Sequence, residues 1–212
     1  MIEVDVWADV RCPWCWIGLR RFRRAVEMVE QPVLVRRRSF LLEPKGPVSP
    51  GRPTVEVATT EWAIPAEQWA AKSEHIRSEG ALEGLSIDVD GALMFDSALL
   101  HRLLKLAAEV HGVDAEEAWE SAFAAHFERT EKLGDPAVLS RLASRWGVDG
   151  VEIDRALAGD RFAAEVARDL EDARRLSIHS VPTVIAADGR RVSGAATVDE
   201  LARFLATTGS LR

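Results

Sequence analysis

Sulfur, membrane-length apolar runs and excess positive charge are what this 212-residue chain has least of. Its only cysteines, Cys12 and Cys15, allow one intrachain disulfide at most. No stretch is apolar over the roughly 20 residues that a bilayer-spanning helix needs, and no basic-then-apolar leader precedes the strand that starts at Ile2. The cytoplasm is therefore the expected compartment, with no membrane association. Against 34 acidic residues stand 27 basic ones, and the net charge of −7 argues against nucleic acid or anionic membranes as partners. The arginine runs Arg20-Arg21, Arg23-Arg24 and Arg36-Arg37-Arg38 read as local, solvated faces. Internal repeats and low-complexity tracts are also missing, so the length suits one large domain or a domain carrying an insertion.

The two cysteines stand in the run Cys12-Pro13-Trp14-Cys15, where a strand (Ile2, Val4, Val6 and Ala8 alternating with Glu3, Asp5 and Trp7) gives way to a helix. Helical positions i and i+3 lie roughly 5 Å apart at Cα, inside the window a disulfide requires, so the two sulfurs could bond and separate with little backbone motion. Pro13 suits the first helical position, which leaves Cys12 at the N-cap. There, unpaired N–H groups and the positive helix end favour a thiolate; Arg11 pushes the same way and Asp9 opposes it. Cys15, one turn in, is expected to be the more buried, resolving thiol.

Three plainer readings compete with a redox pair. As a structural staple it would be poor, because closing a four-residue loop contributes only about 2 kcal/mol against about 5 for a hundred-residue loop. Zinc would need two further ligands, and His75, His101, His111, His126 and His179 show no ligand spacing, so no metal is expected. Two unreactive core thiols are the third reading. In a reducing compartment a lone Cys-x-x-Cys is catalytic more often than it is a permanent cross-link.

Along the chain, periodicity predicts a first helix over Pro13–Glu30, a second strand over Val33–Leu42 and a linker over Pro44–Pro53. A helical block follows, with starts at Pro65, Asp96-Ser97, Asp114, Asp135-Pro136 and Asp149. Asp160 is positioned to cap a long helix leading to the strand Val181–Ala186; Asp188-Gly189 signals a hairpin, and Thr197 to Glu200 forms a capping box before the last helix. Removing the block leaves βαβ followed by αββα, the order of an α/β thioredoxin-like fold. The expected division is 1–53 with 160–212 as the thioredoxin-like domain and 54–159 as an inserted all-helical domain. Pro182 opens the third strand, where a cis bond after Val181 would suit it.

Asp9 to Gly18 around the dithiol, Phe95-Asp96-Ser97 with His101, Val181-Pro182-Thr183 and Ser193-Gly194-Ala195, in this order and spanning nearly the whole chain, resemble the landmarks of the DsbA family of thiol–disulfide oxidoreductases, in its FrnE-like branch. The resemblance implies a cis-proline facing the dithiol and disulfide exchange through a mixed disulfide. Asp96-Ser97, Leu100 and Ser180 depart from the branch's usual Asn-Thr, Ala and Gly. Trp14 stands where periplasmic members carry histidine, which implies a weaker oxidant.

On this reading Cys12 and Cys15 are catalytic, Val181 and Pro182 position substrate along a short strand edge, and Trp14 offers apolar contact. Trp16 reads equally well as contact surface or core. Asp9 is a proton-transfer candidate if buried, although a solvated turn position is the default for such a residue, and His101 and His179 read as structural. The expected partners are thiol- or disulfide-containing proteins or small molecules, with glutathione as a candidate co-substrate, no other cofactor, and a monomer or homodimer. A glutathione-dependent isomerase or transferase of the kappa or hydroxychromene-carboxylate isomerase type is the rival from another reaction class. A redox-regulated, chaperone-like binding protein is the non-enzymatic one.

Overall fold

Strand β1 (Ile2–Ala8) alternates apolar and charged residues at its start, yet its last three positions are all buried, Trp7 included. The reason is its central place: β2 (Val33–Ser39) pairs with it in parallel on one side and β3 (Thr183–Ala186) antiparallel on the other. The helix that carries Asp169 also reaches Trp7, whose indole N–H donates to the Asp169 carbonyl. With β4 (Arg191–Ser193) beyond β3, the sheet order is β2-β1-β3-β4. The computed structural model describes residues 1–209.

Helix α1 (Pro13–Glu27) connects β1 to β2. It ends three residues before the expected Glu30 because the N–H groups of Met28 and Val29 bond back to Ala25 and Val26, tightening the last turn. Likewise β2 stops at Ser39 instead of Leu42: past the Ala8–Ser39 pair β1 turns toward Cys12, and the Leu42 N–H is taken by the Asp9 carboxylate.

Between β2 and the return to the sheet lie α2 (Thr54–Thr60), α3 (Ala66–Leu82), α4 (Ala98–Glu109), α5 (Ala115–Phe127), α6 (Pro136–Arg145) and α7 (Gly150–Ala158). Helix α2 was not anticipated, since its Thr- and Val-rich run has weak helix propensity. The aspartates Asp114, Asp135 and Asp149 do cap α5, α6 and α7, each accepting from backbone N–H groups in the first turn. Helix α8 (Ala163–Arg175), by contrast, is not capped by the Asp160 side chain. Phe162, in the left-handed region at φ 64°, stands at its N-cap, and that turn buries the ring under the Arg161 guanidinium. The last helix, α9 (Val198–Gly209), opens with the reciprocal Thr197–Glu200 capping box and packs on α1.

The block of helices is tied to α1 by charge as well as by a shared apolar cluster. Arg21, 8% exposed, reaches Glu79 and Glu83 of the α3 region, while Arg20 and the Trp16 indole N–H converge on Glu120 of α5. On its other side α1 approaches the loop before β3 so closely that a Cβ added at Gly18 would stand 2.6 Å from Pro182 Cγ. Glycine at this position lets the N-terminal turn of α1 sit against Pro182. Among the described residues no helix is long and apolar enough to cross a membrane.

Candidate active site

Cys12 is the N-cap of α1, with extended backbone (φ −95°, ψ 110°), and Pro13 occupies the first turn. The Cys15 N–H bonds to the Cys12 carbonyl at 3.0 Å, closing the turn that stacks one thiol over the other. Both are free thiols. Cys12 is 7% exposed and Cys15 0%, so Cys15 is the more buried of the two, as its place one turn into the helix implies, and Cys12 offers solvent only a sliver. What covers it is the loop before β3: its Sγ lies 3.6 Å from the Val181 carbonyl oxygen, within sulfur hydrogen-bond range.

The Val181–Pro182 peptide is cis. The loop is pinned by Thr183, whose hydroxyl donates to the Ser180 carbonyl and pairs with Ser193, and by the Gly194 N–H, which donates to the Pro182 carbonyl at 2.7 Å. Val181 and Pro182 thus meet Cys12 in space despite a separation of about 170 residues in sequence. Trp14 is half-buried and tilted against His75 at a 5.3 Å centroid distance, at the outer edge of the dithiol turn. Trp16 is core: 2% exposed, stacked on Phe123 and Phe127.

Asp9 is not a solvated turn residue. Both it and His101 are 0% exposed, with His101 Nε2 3.3 Å from Asp9 Oδ1, and the carboxylate also accepts from the N–H groups of Arg11 and Leu42. The short approach from β1 to α1 turns this side chain inward, below the dithiol. Burial pushes its carboxyl up, but the His101 hydrogen bond and charge together with the two backbone donors outweigh that and hold it below the usual carboxylate range. Cys15 moves the other way. Burial first, then the hydrogen bond its S–H donates to the Cys12 sulfur, raises its thiol well above the ordinary value; the Asp9 charge adds to this while a backbone hydrogen bond at Asp9 opposes it. Sequence reasoning set His101 aside as structural; its only sequence signal was its place after Phe95-Asp96-Ser97, and nothing in that spacing reveals that its ring points at Asp9.

Arg11 lies beside the nucleophile candidate but spends one side of its guanidinium on Glu43 and on the Met94 sulfur, 3.4 Å away. His126, 3% exposed, packs between Phe95 and Phe127. Burial and then the Arg11 charge lower its imidazole from the ordinary 6.5 to about 3. Below pH about 6.5 the unfolded chain therefore takes up a proton at His126 that the folded chain refuses, so folding stability falls with pH in this window and the loss is complete only near pH 3. Wild type is expected to lose about 2 kcal/mol more than His126→Gln on going from about pH 6.5 to 4.5, read by urea denaturation at both values. Equal losses in the two proteins would show that the imidazole titrates normally in the fold.

Among the described residues no group of three or more His, Cys, Asp or Glu side chains is arranged to hold a metal ion. His111 and His179 are exposed.

Set beside known proteins, the chain matches none of the curated proteins. Its fold superposes on a probable DsbA oxidoreductase from Streptomyces coelicolor with a TM-score of 0.93 and 28% identity, covering 100% of this chain and 92% of that one. The cytosolic disulfide reductase DsbM from Pseudomonas aeruginosa, solved alone and with GSH, shares the fold at a TM-score of 0.66 and 19% identity over 99% of this chain and 100% of its own. A 2-hydroxychromene-2-carboxylate isomerase does so at 0.65 and 14%, over 99% and 95%. The family model described as DSBA-like thioredoxin domain matches residues 3–206. With that match running through β1, the helical block, the Pro182 loop and most of α9, the chain belongs to the DSBA-like thioredoxin domain family.

Proposed function

We propose that this protein is a thiol–disulfide oxidoreductase whose reacting groups are Cys12 and Cys15. The observation that carries the reading is the stack of one slightly exposed thiol at a helix N-terminus over one fully buried thiol, with the Val181 carbonyl across from the outer sulfur. In the reducing direction the Cys12 thiolate attacks a substrate disulfide; the substrate S–S bond breaks, a Cys12–substrate mixed disulfide forms and one substrate thiolate leaves. Cys15 then loses its proton and attacks Cys12 Sγ, forming the Cys12–Cys15 bond and releasing the second substrate thiolate. Two electrons pass from the dithiol to the substrate, and the reverse sequence oxidises a substrate dithiol. The buried Cys15, its thiol raised well above the ordinary value, stays protonated until it is needed.

Asp9 is the proposed proton-transfer residue for Cys15, because it is buried and its charge bears on that sulfur; its lowered pKa makes it a transient relay and not a resting place for the proton. Trp14, Val181 and Pro182 are the proposed contacts for the substrate, a protein or small-molecule thiol or disulfide, glutathione included, and the cytoplasm is the proposed compartment. The intact cysteine pair favours this chemistry over isomerase or transferase action, which needs no second sulfur.

The test is an equilibrium titration against glutathione buffers, followed by tryptophan fluorescence, since Trp14 lies within the turn that closes the disulfide. A single two-electron transition that disappears in the double variant Cys12→Ser/Cys15→Ser is expected. A chain whose thiols do not oxidise across the whole glutathione range would overturn the proposal. The midpoint also fixes direction, because known oxidoreductases span roughly 150 mV between thioredoxin and DsbA.

A further inference from the structure

The run Arg20-Arg21 reads from sequence as a solvated face, yet the folded chain buries Arg21 to 8% exposure. Every nitrogen of its guanidinium has an acceptor: Nε donates to Glu83 Oε1 at 2.8 Å, Nη2 to Glu79 Oε2 at 2.6 Å, and Nη1 to the Ala195 carbonyl at 2.9 Å. Glu83 also accepts from Arg24. Taking these charges out of water offsets much of what their pairing returns, so the cluster is weak evidence of stability for its own sake. What a planar, fully engaged fork does fix is direction. It sets where the Ala195 carbonyl lies relative to two carboxylates of the α3 region.

Ala195 belongs to the turn after β4 that backs the loop over Cys12. In that turn the Ser193 hydroxyl pairs with Thr183, and the Gly194 N–H donates to the Pro182 carbonyl at 2.7 Å. Pro182 and Ala195 also share a seat on α1. A Cβ added at Gly18, one turn before Arg21 on the same face, would meet Pro182 Cγ at 2.6 Å and Ala195 Cα at 3.4 Å. From the Pro182 loop the Val181 carbonyl lies 3.6 Å from Cys12 Sγ. An unbroken series of contacts therefore runs from Glu79 and Glu83 through Arg21, the Gly194–Ala195 turn and Pro182 to the covered sulfur.

We propose that Arg21 is a positioning residue for disulfide exchange: its guanidinium clamps the turn at Ala195 and so holds the Val181–Pro182 loop at the distance from Cys12 at which a substrate is seated, with α3 as the anchor. The inference rests on the oxidoreductase reading and adds no chemical step to it. It gives the helical block a part in substrate binding, through two carboxylates that act on the loop by way of Arg21.

Two rates that a loosened loop moves in opposite directions test this in Arg21→Met, which keeps the apolar stem and removes the fork. The second-order rate constant for oxidation of the reduced protein by oxidised glutathione is expected to fall about tenfold, the modest end of what a hydrogen bond from a charged group contributes. Iodoacetamide, which needs no seat on the loop, should alkylate Cys12 several-fold faster, because release of the Val181 carbonyl uncovers the sulfur, while Cys15 stays protected. Arg21→Lys, with the charge but not the fork, should recover part of the exchange rate. Either rate left at its wild-type value in Arg21→Met would overturn the proposal, as would Cys12 and Cys15 labelled in step, the mark of a general loosening of the fold. A wild-type dithiol that oxidised glutathione does not oxidise would instead sink the oxidoreductase reading. Should Arg21→Met not fold, Glu83→Gln, which keeps an amide oxygen for Arg21 Nε and weakens the clamp from its far side, decides by the same two rates.

Discussion

Cys12→Ser is expected to reduce disulfide-exchange turnover to the uncatalysed background, whereas Cys15→Ser should still attack once and then accumulate a mixed disulfide visible by mass spectrometry. The asymmetry follows from exposure and from where each sulfur sits. Cys12, at 7% exposure on the helix N-terminus, is the sulfur that an incoming disulfide can reach. Cys15, at 0%, cannot meet a substrate before Cys12 does, and its raised thiol makes it a poor first nucleophile. It can still meet a sulfur already attached to Cys12, because the helical turn holds the two residues together. The same order should appear in alkylation of the native dithiol by iodoacetamide, with Cys12 modified first and Cys15 protected until the protein unfolds. Full turnover in Cys12→Ser, or preferential labelling of Cys15, would reverse the assigned roles.

How much of this could be read from sequence depended on whether the information was local. The helix caps at Asp114, Asp135 and Asp149 and the Thr197–Glu200 box are decided by side chains within three residues of the backbone groups they satisfy, and they appear as expected. The dithiol turn is equally local. Asp9 was misjudged because its surroundings come from elsewhere in the chain: His101 lies 92 residues away and Leu42 lies 33 away, and neither advertises its direction in a linear pattern. Trp7 was placed on the polar side of β1 for the same reason, since strand alternation cannot show that a helix 162 residues later covers the second face. The reach of Arg11 to Glu43 likewise becomes visible only once the loop after β2 folds back.

Breaking the Asp9–His101 pair from one side is expected to cost about 1–3 kcal/mol of folding stability, the range for leaving a buried hydrogen-bonding group without its partner. In Asp9→Leu, the His101 Nε2 and the N–H groups of Arg11 and Leu42 all lose their acceptor inside the protein. In His101→Leu, the carboxylate keeps two backbone donors but loses the interaction that does most to offset its burial. The cost of His101→Leu should therefore be the smaller of the two. The double variant Asp9→Leu/His101→Leu should be less destabilised than the sum of the single ones, because replacing both partners leaves no lone polar group from the pair. Urea denaturation of the four proteins at neutral pH measures this cycle directly. Simple additivity would mean that the 3.3 Å contact is not an interaction of consequence, and that Asp9 is held under the dithiol by the backbone of Arg11 and Leu42 alone.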